Sequence, residues 1–401
     1  MSAPTSSADE RCLRDLFLLE AGTAYLNHGA FGATPRAVFE RWQERQRAME
    51  ANPTRWFQRV FPVELSTARQ SVATLLNARV DDVVFVPNAT YACNVIAASL
   101  PFGAGDEVLT VHEEYGACVQ ALEFHGGQRG YSVRKAPIWR PGLGSSLSGT
   151  ASWCDTLLGE VRPVTRAIFI SHITSPTARV LPIAELTRRA RALGLKVFID
   201  GAHAIGQLDV DVAAIDADAW FGNAHKWLCS PKTTAVLHLA ERFQHHVQPV
   251  IAGWGWGPER KQWVGTPYQD LHAWLGTLDY ASWLTVPDAI AFQQRHDWAT
   301  VRSRCHALAA EALVTGSAIM DLPPPVEPGS AEHAQMVCIP IRSELDGEGL
   351  QERLFAAKIE APVKRHLEFQ FVRVSVQGYN SRDDLQRLLD VLAEVRAGAV
   401  L

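Results

Sequence analysis

An aspartate ends one apolar segment of the chain, at position 200, and a lysine lies within another, at position 226. Asp200 ends the segment KVFID (196–200) and is followed by Gly-Ala-His, which places His203 three residues further on. An ionised carboxylate at the end of a buried strand is unfavourable unless a hydrogen-bond donor or a positive charge meets it. Asp200 therefore either caps a helix or pairs with a cationic group.

Lys226 lies in an apolar stretch, FGNAHKW (221–227), between a histidine and a tryptophan. The ordinary interpretation is a lysine at the rim of a cleft, with its stem buried and its charge in water. The chemical interpretation is a desolvated amine whose lowered pKa lets it act as a nucleophile and as a base. Pyridoxal-phosphate (PLP) chemistry needs both from one lysine, and an acid that keeps the ring nitrogen protonated. A PLP enzyme is therefore the hypothesis that joins Lys226 to Asp200.

A candidate phosphate site precedes these two residues. The apolar run DVVFV (82–86) leads into NATYACNVIAASL, which has helical spacing. Asn88 or Thr90 would lie at the helix N-terminus, where free amides and the helix dipole attract a phosphate. An ordinary N-cap explains the same residues equally well, so both interpretations stay open.

The pattern around these residues alternates between short apolar runs and amphipathic helices, such as PIAELTRRARAL (182–193). This alternation predicts an α/β fold with a mostly parallel sheet and helices on both faces. In such sheets, ligands bind beyond the carboxyl ends of the strands. The predicted strands are 82–86, 107–111, 131–135, 166–170, 196–200, 219–222 and 234–239.

We divide the chain into an N-terminal arm (1–24), a large domain (25–284) and a smaller α+β domain (285–401). The large domain begins with a helix for which Thr34 is the predicted N-cap and Pro35 the first helical residue. The small domain is predicted as a long helical pattern (286–315), strands at 336–341 and 372–376, and helices at 349–357 and 382–396. Ser381 and Asp384 give the last helix a capping-box start.

Composition excludes several classes of protein. The 401 residues are 47% hydrophobic and 20% charged, with a net charge of −5. That acidity argues against nucleic acid as a partner, and no stretch approaches the length of a membrane span. The seven cysteines are scattered, which predicts reduced thiols in a cytoplasmic protein; no signal peptide is evident. The segment 141–150 is predicted to be a surface loop, and no metal site is expected, because the histidines at 245 and 246 lack further ligands at suitable spacing.

Seven motifs together resemble the class V aminotransferase family of fold-type I PLP enzymes, specifically its isopenicillin N epimerase-like branch. The similarity spans roughly residues 25 to 395 and implies a seven-stranded fold-type I domain. The pair D-G-A-H and H-K-W at this spacing is quite specific. The matching segments are YLNHGAFGATPRAVFE (25–40), VPNATYACN (86–94), EEYGA (113–117), SHITSPTARVLPIAEL (171–186), DGAHAIGQLDVD (200–211), AHKW (224–227) and GTLD (276–279).

The resemblance implies roles for individual residues. Lys226 would form the Schiff base with PLP, and Asp200 would meet the pyridine nitrogen. His203 and Ser175 match contacts on the side of the phenolic oxygen, and Tyr115 matches the residue that stacks on the ring. The residues that match phosphate contacts are Ala89, Thr90, Asn223 and His225.

Substrate and partner contacts follow from the same resemblance. Arg373 resembles the arginine that binds the substrate α-carboxylate, for which a bidentate guanidinium is well suited; without the resemblance, a solvent-facing strand arginine would be the default. In FVRVSV, alternation places Phe371, Arg373 and Ser375 on one face. Thr277 matches a phosphate contact from the neighbouring subunit, which implies a homodimer with shared active sites. The residues that match the segment closing over the substrate are Asn27, His28 and Gly29, although a lone histidine is more often structural.

Two departures from the family pattern concern the cofactor pocket. Asn223 stands where serine is common, which predicts a slightly different phosphate cup. Ala178 replaces a usual glycine and is expected to narrow that wall.

The reaction stays open among several outcomes. The implied substrate is an amino acid or an amino-acid-bearing metabolite. The family favours epimerisation at Cα, with C–S β-elimination close behind and transamination as a further alternative. Secondary metabolism is inferred from the family alone. Persulfide-forming desulfuration is disfavoured because Cys338, the one cysteine in the matching region, lies within a strand pattern.

Two further questions stay open. A noncatalytic PLP-binding regulator is the alternative from another class of protein; it would need a DNA-binding segment, and the first 24 residues are short and acidic. The tryptophan-rich stretch 254–274 is either dimer-interface packing or a wall for a bulky substrate group.

Overall fold

The computed structural model describes residues 12–138, 150–260 and 262–398. The predicted loop at 141–150 therefore lies almost entirely outside the described residues. The strands, in chain order, are β1 (Ala24–Tyr25), β2 (Val83–Val86), β3 (Glu107–Val111), β4 (Ser132–Ala136), β5 (Thr165–Ser171), β6 (Lys196–Asp200), β7 (Ala219–Asn223), β8 (Ala235–Leu239), β9 (Met336–Ile341), β10 (Ile359–Glu360), β11 (Val363–His366) and β12 (Phe369–Ser375).

Helices separate most of these strands, as the alternating pattern predicts. A π-helical segment, Trp56–Val60, joins the third and fourth helices. The helices are α1 (His28–Phe31), α2 (Arg36–Ala51), α3 (Pro53–Arg55), α4 (Phe61–Leu75), α5 (Ala89–Ser99), α6 (Gly116–Arg129), α7 (Thr150–Gly159), α8 (Ile183–Ala192), α9 (Val212–Ile215), α10 (Glu241–Gln244), α11 (Pro267–Ala273), α12 (Ala281–Leu284), α13 (Val286–Arg295), α14 (Trp298–Met320), α15 (Gly347–Ala356) and α16 (Arg382–Arg396).

The central sheet has seven strands in the order β2-β8-β7-β6-β5-β3-β4. Only β8 runs antiparallel to its neighbours, so the predicted mostly parallel seven-stranded sheet is confirmed. All seven predicted strands are present within one residue of their expected ends. Apolar side chains alternate between two cores: Val197 and Ile199 of β6 pack in one and Phe198 in the other. The sheet is therefore covered on both faces, which explains why its strands are almost continuously apolar.

The C-terminal part contains a three-stranded antiparallel sheet in the order β11-β12-β9, with α14 and α16 packed beside it. The expected long helix over 286–315 is instead two helices, because Asp297 adopts a left-handed conformation (φ 47°) between α13 and α14. The strand β1 pairs in parallel with β10, so residues 24–25 join the C-terminal region. The domain division at residue 284 stays a prediction.

Two helix starts can be compared with their predicted caps. The capping box of Ser381 and Asp384 is present at the start of α16. The cap of α2 was placed one residue too early: Pro35 is its N-cap with an extended backbone (ψ 148°), and the helix begins at Arg36. The Thr34 hydroxyl instead donates to the carbonyl of Ser230 at 3.4 Å.

Candidate active site

The chemical groups of the site lie at the carboxyl ends of the central strands. Asp200 ends β6, Asn223 ends β7, and Lys226 follows in the turn after β7. A glycine is required after Asp200, because a side chain at Gly201 would collide with the ring of Trp220. The fold thus brings together residues that are 26 positions apart in the sequence, as the strand pattern predicts.

Lys226, His203 and Trp227 form a connected group. The Nζ atom of Lys226 lies 3.3 Å from Nε2 of His203, and the indole N–H of Trp227 donates to Nδ1 of the same ring at 3.3 Å. An indole N–H can only donate, so Nδ1 of His203 must be unprotonated. Burial, followed by the charges of Lys226 and Arg373, lowers the pKa of His203 well below its usual value. His203 is therefore a neutral imidazole whose single proton is on Nε2 and points at the lysine amine.

The amine of Lys226 loses its proton more readily than that of a free lysine. Burial, followed by the positive charge of Arg373, lowers the pKa of Lys226 to about 8. The hydrogen bond from Nε2 of His203 favours the unprotonated amine as well, because only that form offers a lone pair. Trp227 and His203 were matched as motif residues in the sequence, but their hydrogen bond was not foreseen.

Asp200 is a buried carboxylate, only 3% exposed, which lacks an ion-pair partner among the described residues. One carboxylate oxygen accepts from the amide of Ala202 at 2.8 Å and the other from the thiol of Cys118 at 3.4 Å. Burial raises the pKa of Asp200, against the opposing effects of these hydrogen bonds and of the charge of Lys226. A cationic group next to Asp200 would offset the free-energy cost of burying this carboxylate in its charged form.

A second buried acid, Glu114, lies close enough to Asp200 to sense its charge. Its carboxylate accepts from the backbone N–H and the hydroxyl of Ser171, at 2.6 and 2.8 Å. Burial, and then the charge of Asp200, raises the pKa of Glu114 to about 8. Glu114 is not among the site residues predicted from the sequence; the available signal was the acidic pair Glu113 and Glu114, which follows β3 after one residue.

The predicted phosphate contacts gather at the start of α5. Asn88 caps the helix by accepting from the amide of Tyr91 at 2.9 Å, and Oδ1 of Asn223 accepts from the amide of Ala89 at 2.9 Å. Thr90 is the second residue of this helix and partly exposed. Nδ1 of His225 donates to the carbonyl of Thr234. The ring atom of His225 that is left to contact a phosphate is therefore Nε2.

Arg373 lies on β12 with its guanidinium in the site. One of its terminal nitrogens donates to the carbonyl of Ser175 at 2.7 Å, whereas Nε is buried without a partner. The hydroxyl of Ser375 and the side-chain oxygen of Asn27 are also buried without partners, and these two residues form a backbone bridge. Ser375 was placed on the face of Arg373 by strand alternation but not proposed as a site residue.

His28 and Gly29 lie behind Lys226. His28 is fully buried; Nε2 lies 3.0 Å from the carbonyl of Lys226, and Nδ1 lies 2.9 Å from the hydroxyl of Tyr379. A side chain on Gly29 would collide with Met336 and Ser375. These contacts favour the structural alternative for His28, which supports the backbone of the lysine. Its predicted contact with substrate stays a prediction.

The remaining predicted residues lie at the edges. Tyr115, the N-cap of α6, is 47% exposed, and Thr277 is exposed between α11 and α12. Ala178 is buried in a left-handed conformation (φ 59°), a region of backbone conformation that favours glycine. Whether its methyl group narrows the pocket stays a prediction.

The tryptophan-rich stretch borders a separate cavity. The cavity measures about 530 Å³, and none of the site residues described above lines it. Both interpretations of the stretch, interface packing and substrate wall, stay open. The lining residues are Phe57, Gln58, Trp254, Gly255, Gln262, Trp263, Asp270 and Trp274.

These residues fit PLP. Asp200 supplies a buried anion for a protonated ring nitrogen, Lys226 supplies an amine of lowered pKa for the aldehyde, and the dipole at the N-terminus of α5 favours a phosphate. The fold and this site define a PLP-dependent enzyme of fold type I. The chain belongs to the class V aminotransferase family, whose model matches residues 24–388.

Relatives within this family differ in activity. The isopenicillin N epimerase of Amycolatopsis lactamdurans is 32% identical over 397 residues, covering 95% of this chain and 97% of that protein. The putative L-cysteine desulfhydrase 1 of Oryza sativa subsp. japonica is 30% identical, covering 94% of this chain and 84% of that protein. The structure of the cystine C–S lyase C-DES with its product cysteine persulfide superposes with a TM-score of 0.80 at 21% identity, covering 93% of this chain and 98% of that one. No helix among the described residues is long and apolar enough to cross a membrane.

Proposed function

We propose that this enzyme removes and returns the Cα proton of an amino acid or an amino-acid-bearing metabolite, as an isopenicillin N epimerase-like enzyme. The observation that carries the proposal is a desolvated Lys226, whose pKa is lowered to about 8, beside a histidine that can only donate to it. The full-length similarity to an isopenicillin N epimerase supports the same choice.

Each residue has a distinct task in this proposal. Arg373 binds the substrate carboxylate, and its positive charge, after burial, lowers the pKa of Lys226. Lys226 takes the Cα proton at Nζ, because His203 has its proton on Nε2 and its lone pair turned to Trp227. PLP, when bound, supplies an electron sink for the charge left at Cα. Asp200 stabilises the positive charge that this sink requires.

β-Elimination at a C–S bond is the second candidate, because the L-cysteine desulfhydrase relative matches nearly the whole chain. It begins with the same proton removal by Lys226 and differs in the loss of a sulfur substituent. Transfer of the sulfur to Cys338 is not part of this candidate. The Cys338 thiol donates to the carbonyl of Pro176 at 3.2 Å, and burial raises its pKa to about 12. Such a thiol is a poor nucleophile.

We also propose a cytoplasmic homodimer in which Thr277 of one subunit reaches the site of the other. The exposure of Thr277 supports this arrangement, because a phosphate contact in its own subunit would require burial at the start of α5. Crosslinking between a cysteine introduced at position 277 and one introduced at position 90 tests it. Crosslinks within one chain, or none, would contradict the shared site.

Proton NMR in D₂O separates the candidate reactions. The purified enzyme with PLP is incubated with a panel of amino acids and cysteine S-conjugates. Loss of the Cα–H signal with intact β-carbons is the expected result and means reversible deprotonation. Pyruvate with a released thiol means β-elimination instead. A keto acid together with the amine form of the cofactor means transamination, and full PLP loading without any change means a noncatalytic protein.

The assignment of the lysine has its own test. Borohydride reduction followed by peptide mass spectrometry should find PLP on Lys226, and Lys226→Ala should abolish the adduct. Lys232→Ala is the matched control, because Lys232 lies six residues further along the chain and its pKa is also lowered by burial of the amine. Covalent PLP in Lys226→Ala would show that the central assignment is wrong.

A further inference from the structure

The hairpin of β11 and β12 places a second cation beside Arg373. Lys364 of β11 is directly opposite Phe371 of β12 in this antiparallel pair. Because side chains alternate along a strand, Lys364, Phe371 and Arg373 project from the same face of the sheet. Lys364 and Arg373 are diagonal neighbours, whose Cα atoms lie about 7–8 Å apart in such a pair, within reach of long side chains.

This face is turned toward the active site. Phe371 packs in a small core with Ile173, Ala178 and Trp227, which belong to the large sheet and its loops. Arg373 reaches further and donates to the carbonyl of Ser175. Lys364, at the outer end of the same face, is exposed. The charge of Arg373 acts on the pKa of both Lys364 and Lys226, so Arg373 lies within electrostatic range of both amines.

The far end of the hairpin reaches the loop that follows β3. His366 projects from the face of Lys364, and its Nε2 atom is buried without a partner. Burial, followed by the charge of His112, lowers the pKa of His366, so these two histidines are near neighbours. Tyr115 follows His112 in the same loop. The hairpin thus borders the cleft from Ser175 to His112.

The charges on this face are unbalanced. Neither Lys364 nor Arg373 forms an ion pair with a carboxylate among the described residues. Burial, followed by the charge of Arg373, lowers the pKa of Lys364. Two neighbouring cations without a protein counter-charge are unfavourable, and an anionic ligand that spans both would remove the repulsion.

We infer that Lys364 binds a second carboxylate of the substrate, so that the enzyme prefers amino-acid derivatives with an acidic group beyond the α-carboxylate. The inference rests on the proposed function only in taking the α-carboxylate to be bound by Arg373. Lys364 determines specificity and takes no part in proton transfer. Its removal should affect substrates according to their distal charge.

Binding of paired amino acids to the holoenzyme tests this inference. The probes are L-glutamate and L-2-aminoadipate, each compared with a neutral counterpart of similar length, L-glutamine and L-norleucine. Affinity is read from the change in the visible absorption of the cofactor. Lys364→Gln should weaken binding of the two dicarboxylates roughly 10-fold, as expected for one charge-assisted contact of about 1.4 kcal/mol. The two neutral probes should bind as they do to the wild type.

Two variants serve as controls. Arg365→Gln removes an exposed charge from the next residue of β11, which faces the other side, and should change neither pair. Lys364→Arg retains the charge and should keep the preference for dicarboxylates. Equal weakening of both pairs, an unchanged preference in Lys364→Gln, or a wild type without preference would each overturn the inference. Selective binding without Cα–H exchange in D₂O would contradict the proposed function while leaving the Lys364 site in place.

Discussion

Replacing Trp227 by phenylalanine tests where the proton of His203 is located. In the wild type, the indole N–H occupies Nδ1 of His203, so Nε2 carries the proton and donates to the neutral amine of Lys226. Phenylalanine retains a buried ring but has no donor. The imidazole can then move its proton to Nδ1, and its Nε2 lone pair can accept a hydrogen bond from the protonated lysine.

The size of the expected change in the pKa of Lys226 follows from the exchange of one hydrogen bond to its amine for another. The wild-type contact stabilises the neutral amine by about 1 kcal/mol, and the new contact stabilises the charged amine by a similar amount. The total change of about 2 kcal/mol corresponds to about 1.5 pH units. The pKa of Lys226, about 8 in the wild type, should therefore rise by roughly 1 to 1.5 units in Trp227→Phe. Burial of the amine is unchanged and keeps the pKa below that of a free lysine.

The assay is the pH dependence of acylation of Lys226 in the apoenzyme, quantified by peptide mass spectrometry. Trp220→Phe is the matched control: Trp220 is also fully buried near the site, but its indole N–H has no partner. The control should leave the pKa of Lys226 unchanged. An unchanged pKa in Trp227→Phe, or the same rise in both variants, would refute the assignment of the proton to Nε2.

Four further outcomes are expected. Lys226→Met should raise the free energy of unfolding of the apoenzyme by on the order of 2 kcal/mol at pH 7, measured by chemical denaturation. Folding lowers the pKa of Lys226 to about 8, so the charged amine destabilises the folded protein below that pH. The advantage of methionine should therefore shrink as the pH rises from about 8 toward the pKa of this lysine in the unfolded chain. Arg373→Ala should raise KM for carboxylate substrates about 30-fold or more, as expected for about 2 kcal/mol from a charged contact, with PLP still bound to the enzyme; an unaltered KM would remove Arg373 from the site. Leu367→Gly should stabilise the protein by about 1 kcal/mol in thermal unfolding, because this exposed leucine has a φ of 53°; a lower melting temperature would contradict this. Thiol titration of the native protein should show one fast-reacting thiol, the exposed Cys12, and six slow ones, which are buried. Several fast thiols would contradict the burial of those six cysteines.

The central sheet could be predicted from the sequence because most of its strands are short apolar runs bounded by polar residues; the edge strand β4, with Arg134 and Lys135, is the exception. The same reasoning placed Asp200 and Lys226 at one edge of the sheet, since parallel strands end together. Alternation in β12 correctly placed Arg373 and Ser375 on one face. These predictions depend only on neighbouring residues, for which local periodicity is informative.

The contacts between distant parts of the chain that hold the site residues in place could not be predicted from local patterns. Tyr379 is 351 positions from His28, to which it is hydrogen-bonded, and no local pattern links two such residues. The strands β1 and β10 have two residues each and were missed for the same reason. The break between α13 and α14 depends on a single left-handed residue, Asp297, in a sequence that otherwise continues the helical spacing.

The pairing of β1 with β10 has a consequence for the order of events during translation. Residues 24–25 are synthesised early, yet their partners at 359–360 follow only after most of the chain has left the ribosome. Until then, His28 cannot reach Tyr379 and the backbone of Lys226 lacks that support. Closing so long a loop is slow compared with forming local structure. The central sheet can assemble on the nascent chain, whereas a site able to react with PLP is completed only after residues 359–379 have been synthesised.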